Sequence, residues 1–227
     1  MNSLNSMCQG GLVLMLLAAP LTAGSVQGPV HLRDKGGRSR ASLQDVVAIL
    51  EPMNAPLAAV KPLKPVFIRT VGKAFIPRVS LATPGTEVVF PNLDHILHNV
   101  FSVTPGNRFD TGQYRPGDNP RVKVANPGLV KLYCNVHHQM NAFLLVVTTP
   151  FAQLLDGRTG LAFDAVPAGS YRLRLWHPEA GEKVWILNVG DGVTQGSWEL
   201  EASLPVLEPH KNKFGRDYAP PVDERNY

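Results

Sequence analysis

Turn dipeptides recur along this chain at short intervals, and each closes a short apolar run. Pro84-Gly85, Pro105-Gly106, Pro116-Gly117, Pro127-Gly128, Asp156-Gly157, Ala168-Gly169 and Asp191-Gly192 separate runs such as 79–81, 87–90, 100–103, 121–124, 130–134, 142–147, 170–176 and 184–189. Proline presets φ and glycine supplies positive φ, so each pair is a chain reversal. No stretch sustains an apolar period of 3.6, which excludes a helix bundle. The spacing predicts an all-β chain of the sandwich type. At 227 residues, it is long enough for one or two hydrophobic cores. With 44% apolar and 18% charged residues, wholesale disorder is excluded. A net charge of +4 is too small and too dispersed for a nucleic-acid footprint.

The N-terminus sets the expected compartment. Residues 1–32 contain no Lys, Arg, Asp or Glu, and Leu12–Ala19 is an apolar run closed by Pro20. That run is too short to span a bilayer as a helix. Small residues follow, with Ala23 and Gly24 offering a cleavage site, so residues 1–24 read as a signal peptide despite lacking a basic side chain. The expected destination is the periplasm, with no stable membrane span after cleavage. Cleavage would also remove Cys8, leaving Cys134 as the sole thiol. A lone thiol in an oxidising compartment is chemically exposed, and metal ligation is one reason to keep it.

Composition divides the rest. Residues 25–60 supply N-terminal strands, 61–149 form one domain, 150–204 a second, and the proline-rich stretch 205–227 reads as a flexible tail. Thr148-Thr149-Pro150 marks the junction. Residues 61–149 hold ten Lys/Arg against four Asp/Glu, a net of +6, whereas 150–204 hold four against seven, a net of −3.

The segment that carries chemistry is Leu132-Tyr133-Cys134-Asn135-Val136-His137-His138-Gln139-Met140. It offers a thiolate, an imidazole and a thioether at Cys-x2-His-x2-Met spacing, on a tight loop between two apolar runs. A thiolate with imidazole selects copper or zinc over hard cations, and a thioether tilts the choice to copper. Two His and one Cys with a weak axial Met make the blue-copper donor set, so one more histidine is required. His98 is the candidate, because it opens the apolar run His98-Asn99-Val100-Phe101-Ser102 after a polar loop. Asn99 could brace the ligand loop.

These residues carry a family resemblance. The stretch 73–147 resembles the cupredoxins of the plastocyanin and amicyanin group through Phe75-Ile76-Pro77, Pro84-Gly85-Thr86, Val88–Asn92, His98-Asn99-Val100, Pro127-Gly128 and Cys134-x2-His137-x2-Met140. The whole chain resembles exported cupredoxin-like proteins often labelled methylamine utilization proteins. The resemblance implies a Greek-key β-sandwich, a single type 1 copper held by His98, Cys134, His137 and Met140, and electron transfer. It also implies His137 as the electron port. Residues 151–203, with Gly160-Leu161-Ala162-Phe163 and Val166-Pro167-Ala168-Gly169-Ser170-Tyr171, resemble the carboxypeptidase regulatory-like, transthyretin-like sandwich. That stretch is short for such a sandwich. The expectation is that residues near 25–55 complete it, with the copper domain inserted between.

The remaining candidates have plainer readings. His138, next to His137, and His95 read as polar loop side chains, and His31 and His210 as surface residues. Trp176 reads as packing, His177 as a strand end, and Tyr133, Phe109 and Phe90 as core. Asp94 reads equally as a turn residue or as a group orienting the loop before His98. No His-x-His pairs, second loop cysteine, Ser-His-Asp set or paired carboxylates support an enzyme. The expected function is a periplasmic electron carrier whose partner is a cytochrome or dehydrogenase, an acidic one if the +6 surface steers docking. A copper delivery or storage module, or a structural protein with a vestigial site, remains open at this point.

Overall fold

The computed structural model describes residues 23–40, 42–54, 60–203, 205 and 210–218. The expected leader therefore lies outside the described residues, save Ala23 and Gly24. Every regular element among them is a β-strand. Among the described residues, no helix is long and apolar enough to cross a membrane. Two strands come first, β1 (Ala23–Asp34) and β2 (Val47–Pro52). Then follow β3 (Val66–Phe67), β4 (Arg69–Val71), β5 (Ala74–Ile76), β6 (Val79–Ala82) and β7 (Glu87–Val89). Next are β8 (His98–Ser102), β9 (Phe109–Tyr114), β10 (Arg121–Lys123), β11 (Gly128–Tyr133) and β12 (Asn141–Val146). The last are β13 (Ala152–Leu154), β14 (Gly160–Pro167), β15 (Gly169–His177), β16 (Gly181–Val189), β17 (Val193–Gln195) and β18 (Trp198–Ala202).

The first and last groups interleave. β1 runs antiparallel to β14 and parallel to β17 and β18. β2 sits between β13 and β15, and β16 extends that sheet. The two sheets enclose a core that includes Val26, Leu32, Leu50, Phe163, Leu173, Trp198 and Leu200. β1 spans Ala23–Asp34, so it starts within the expected leader, and glycine allows its close pairing. A Cβ on Gly28 would lie 1.9 Å from the Gly196 carbonyl oxygen, and one on Gly160 would lie 2.2 Å from that of Gly28. Only bare backbones can approach so closely.

The middle strands form a five-stranded sheet, β6-β12-β11-β8-β9, and a three-stranded one, β10-β7-β3. They share a core with Phe90, Val100, Leu132 and Leu144. The short hairpin β4–β5 stands beside them.

Two strands are buried on both faces, and they join the two cores. Along β2, Ala48 and Leu50 enter the first core, while Val47 and Ile49 point the other way. Along β12, Ala142, Leu144 and Val146 enter the second core, while Phe143 and Leu145 point outward. The outward sets meet in a third apolar cluster with Val79, Val147 and Trp176, where Phe143 and Trp176 touch edge to face at 5.3 Å. Side chains alternate faces along a strand, so a strand covered twice must be apolar throughout. This is the physical reason that 46–50 and 142–147 read as unbroken apolar runs.

Candidate metal centre

β11 and β12 are antiparallel neighbours up to the pair Tyr133↔Asn141, and residues 134–140 form the loop between them. The loop is bonded to itself. The Cys134 N–H donates to the Met140 carbonyl at 3.2 Å, and the Met140 N–H donates to the His137 carbonyl at 3.1 Å. Both Cys134 and Met140 are buried and belong to the core with Leu132 and Leu144. β8 runs antiparallel beside β11 through Tyr133↔Phe101. That register brings Asn99 beside Asn135, whose N–H donates to Asn99 Oδ1 at 3.3 Å. His98, the first residue of β8, thereby arrives at the loop from distant sequence.

The ligand atoms of His98, Cys134 and His137 lie within 4.8 Å of one another. Cys134 Sγ is 3.9 Å from His137 Nδ1, and the two imidazole centroids are 5.0 Å apart. The Val136 N–H points to the Cys134 sulfur at 3.4 Å. His98 is wholly buried, with its Nε2 2.8 Å from Asp94 Oδ2 and its Nδ1 without a hydrogen-bond partner among the described residues.

Asp94 explains the orientation of that ring. β4 and β5 are joined through Gly72 and Lys73, both at positive φ (60° and 58°), the signature of a two-residue hairpin turn. The Asp94 carboxylate accepts both turn amides, Gly72 N–H at 2.6 Å and Lys73 N–H at 2.9 Å, as well as His98. Burial works against its charge, but the two amides and His98 together hold the carboxyl below its ordinary range. An ionised Asp94 accepts a hydrogen bond from the Nε2–H and leaves the Nδ1 lone pair free. A buried acceptor without a donor is costly. A cation beside Cys134 and His137 would remove that cost. The donors present are two imidazoles, a thiol and a thioether, the soft set that suits copper.

Of the residues singled out from sequence, His98, Cys134 and His137 come together, with Met140 buried at the end of the same loop. His138, His95 and His31 are exposed and stand outside the cluster. Asp94 proves to be the group that orients His98. His177 is buried far along the chain, with Trp176 packed in the cluster between the cores.

Of the expected tail, 205–227, the structure describes residue 205 and residues 210–218. Residues 210–218 lie on the ligand loop. The His210 ring stacks on Tyr133 at 4.1 Å, and its Nε2–H donates to the His138 carbonyl at 2.9 Å. The Tyr218 hydroxyl donates to the Cys134 carbonyl at 2.9 Å. Burial raises the Tyr218 phenol well above its ordinary value, and Cys134 and Tyr133 add to this, so it remains a neutral donor. His210 is thus a contact residue rather than a bare surface one. Its sequence neighbourhood, polar and rich in proline, gives no apolar period that could have announced this.

No protein-family model matches the sequence, and no curated protein does. Among solved structures, the chain is similar to a copper-containing nitrite reductase from Thermus scotoductus SA-01. The identity is 25% over 44% of this chain and 26% of that one, with a TM-score of 0.36. It thus spans about a quarter of that enzyme. A purple cupredoxin from Nitrosopumilus maritimus is 21% identical over 36% of this chain and 99% of its own, with a TM-score of 0.33. A reduced Cu(I) form of an amicyanin variant is 17% identical over 44% of this chain and 98% of its own, with a TM-score of 0.34.

Proposed function

We propose that this chain is an exported, periplasmic type 1 copper protein that carries single electrons, with the metal held by His98, Cys134, His137 and Met140. The observation that carries the reading is the partnerless Nδ1 of a fully buried His98 in a cluster with Cys134 and His137. Copper bound there would supply a Cu(II)/Cu(I) couple. The chain's own part is to hold its donors still. Asp94 fixes the His98 tautomer, and the Val136 N–H and the bonds inside loop 134–140 fix the cysteine. A frame that does not move between oxidation states keeps reorganisation small. His137 is the half-buried member of the set, which suits it to pass the electron to the surface. The +6 balance of residues 61–149 suits an acidic cytochrome or dehydrogenase as partner. The sandwich built from 23–52 and 152–202 fits a scaffold or docking module of the transthyretin-like kind.

Copper titration followed by visible spectroscopy and voltammetry tests the reading. The expected result is an intense thiolate-to-copper band with reversible one-electron cycling. Cys134→Ser should abolish the band while the far-ultraviolet circular dichroism stays unchanged. Tight Cu(I) binding without the band would point to delivery or storage instead. Failure to bind copper at all would overturn the reading.

A further inference from the structure

The segment 210–218 meets the ligand loop at several points. Beyond the His210 and Tyr218 bonds, the Lys213 N–H donates to Asn135 Oδ1 at 3.0 Å. Lys213 Nζ pairs with Asp110 Oδ2 at 2.7 Å. Asp110 Oδ1 accepts from Asn99 Nδ2 at 2.6 Å, and Asn99 Oδ1 receives the Asn135 N–H. Lys213, Asp110, Asn99 and Asn135 therefore close a ring of polar contacts, and that ring includes the residue next to His98. The segment also has its own fold. The Asn212 N–H and Arg216 carbonyl bond at 2.8 Å across a turn with Gly215 at φ 74°. His210 and Tyr218 pack edge to face at 5.3 Å across the base of this turn.

We propose that residues 210–218 are a clasp that positions and shields the ligand loop, with His210 and Tyr218 as its two positioning residues. The argument is one of backbone restraint. Loop 134–140 presents carbonyls at Cys134 and His138 that its own turn does not bond among the described contacts. The clasp supplies a donor to each, one from a ring that is itself stacked on Tyr133. Both donors come from groups that change little on ordering, because a stacked imidazole and a half-buried phenol have few rotamers to lose. Neither residue belongs to a core cluster, so removing them should lower the free energy for local opening of the loop. Cys134 would then meet solvent more often.

The test uses the full-length chain with Cys8→Ser, so that Cys134 is the only thiol. In the metal-free protein, the rate of Cys134 alkylation by iodoacetamide reads loop opening directly. A His210→Ala, Tyr218→Phe double variant should react at least about tenfold faster, which corresponds to the loss of two hydrogen bonds. Tyr218→Phe alone, which removes one hydroxyl, should give part of that rise at an unchanged melting temperature, and it keeps the test valid if the double variant folds poorly. Lys211→Ala changes an exposed residue of the same segment that pairs only with Asp217 among the described contacts, and should leave the rate unchanged. In the copper-loaded protein, the double variant should lose its metal to a chelator faster. The proposal rests on the copper reading only for that last measurement. A protein that binds no copper yet shows the alkylation difference would overturn the carrier and keep the clasp. Equal alkylation rates in a copper-binding protein would overturn the clasp and keep the carrier.

Discussion

Two histidines of this molecule are buried, one in β8 and one in β15, and only one of them has the free nitrogen of a ligand. His98 and His177 are 0% and 3% exposed. Each has carboxylates nearby, Asp94 for His98 and Glu179 for His177. The difference is in the ring nitrogens. His177 Nδ1 accepts the Glu179 N–H at 3.1 Å, and the ring also bonds the Gln44 backbone. It is satisfied as a neutral imidazole, and burial pushes its pKa down to about 4 against the pull of Glu179, with Arg40 and Arg78 helping to lower it. His98 has one nitrogen spent on Asp94 and the other spent on nothing. A buried histidine with both nitrogens bonded is a structural part. One with an idle lone pair beside a thiol is placed to meet a cation.

Exchanging the two should give opposite phenotypes, and this is the largest effect expected. His98→Ala should weaken copper binding by more than the roughly hundredfold that loss of a supporting group costs, whereas His177→Gln should leave the copper titration unchanged. Equal losses would erase the distinction.

The next effect is on stability against pH. His177 has a folded pKa of about 4 and an ordinary value of 6.5, so below 6.5 the unfolded chain takes up a proton that the folded one refuses. Stability should be full above pH 6.5 and should fall as the pH drops toward 4, by on the order of 3 kcal/mol. Asp45, raised by burial, and Glu179, held low by Arg40 despite its own burial, titrate beside it. Denaturant midpoints for the metal-free protein at pH 7.5, 6, 5 and 4 measure the total slope. His177→Gln should flatten it, and an unchanged slope would move the cause to the carboxylates.

The smallest effect concerns the support behind His98. Asp94→Asn keeps the shape but loses the charge that selects the tautomer and grips the Gly72–Lys73 turn. Copper affinity by chelator competition should drop roughly 10- to 100-fold. An unchanged affinity would show that the hairpin alone orients the ring.

The sequence made some of this legible and hid the rest for physical reasons. Strands β6, β7, β8, β11, β12, β15 and β16 were readable because each is apolar enough to be seen between turn residues. The ligand loop was readable because its donors are adjacent, and His98 because it opens an apolar strand. Asp94 was ambiguous, since a carboxylate four residues before a histidine suits a turn and a hydrogen bond equally. The choice depended on a hairpin more than twenty residues away in sequence. The clasp was invisible because its bonds join residues 72 and 84 positions apart and use polar side chains without any period. The start of β1 fell inside the expected leader because Gly24 read as part of a cleavage site, whereas the glycines of β1 let neighbouring backbones approach.

The return of the chain at residue 149 bears on how such a molecule folds. The Thr149 hydroxyl donates to the Leu50 carbonyl, 99 residues earlier, at 2.7 Å, and the Leu50 N–H donates to the Phe151 carbonyl at 2.8 Å. Contacts that span so much chain are slow to find, because closing a long loop is entropically costly. The strands between residues 66 and 146 pair almost wholly among themselves. If that region condenses first, it delivers position 50 and position 151 to the same place, and the long search becomes a short one. The half that holds the His98–Cys134–His137 cluster would then serve its neighbour as a folding template.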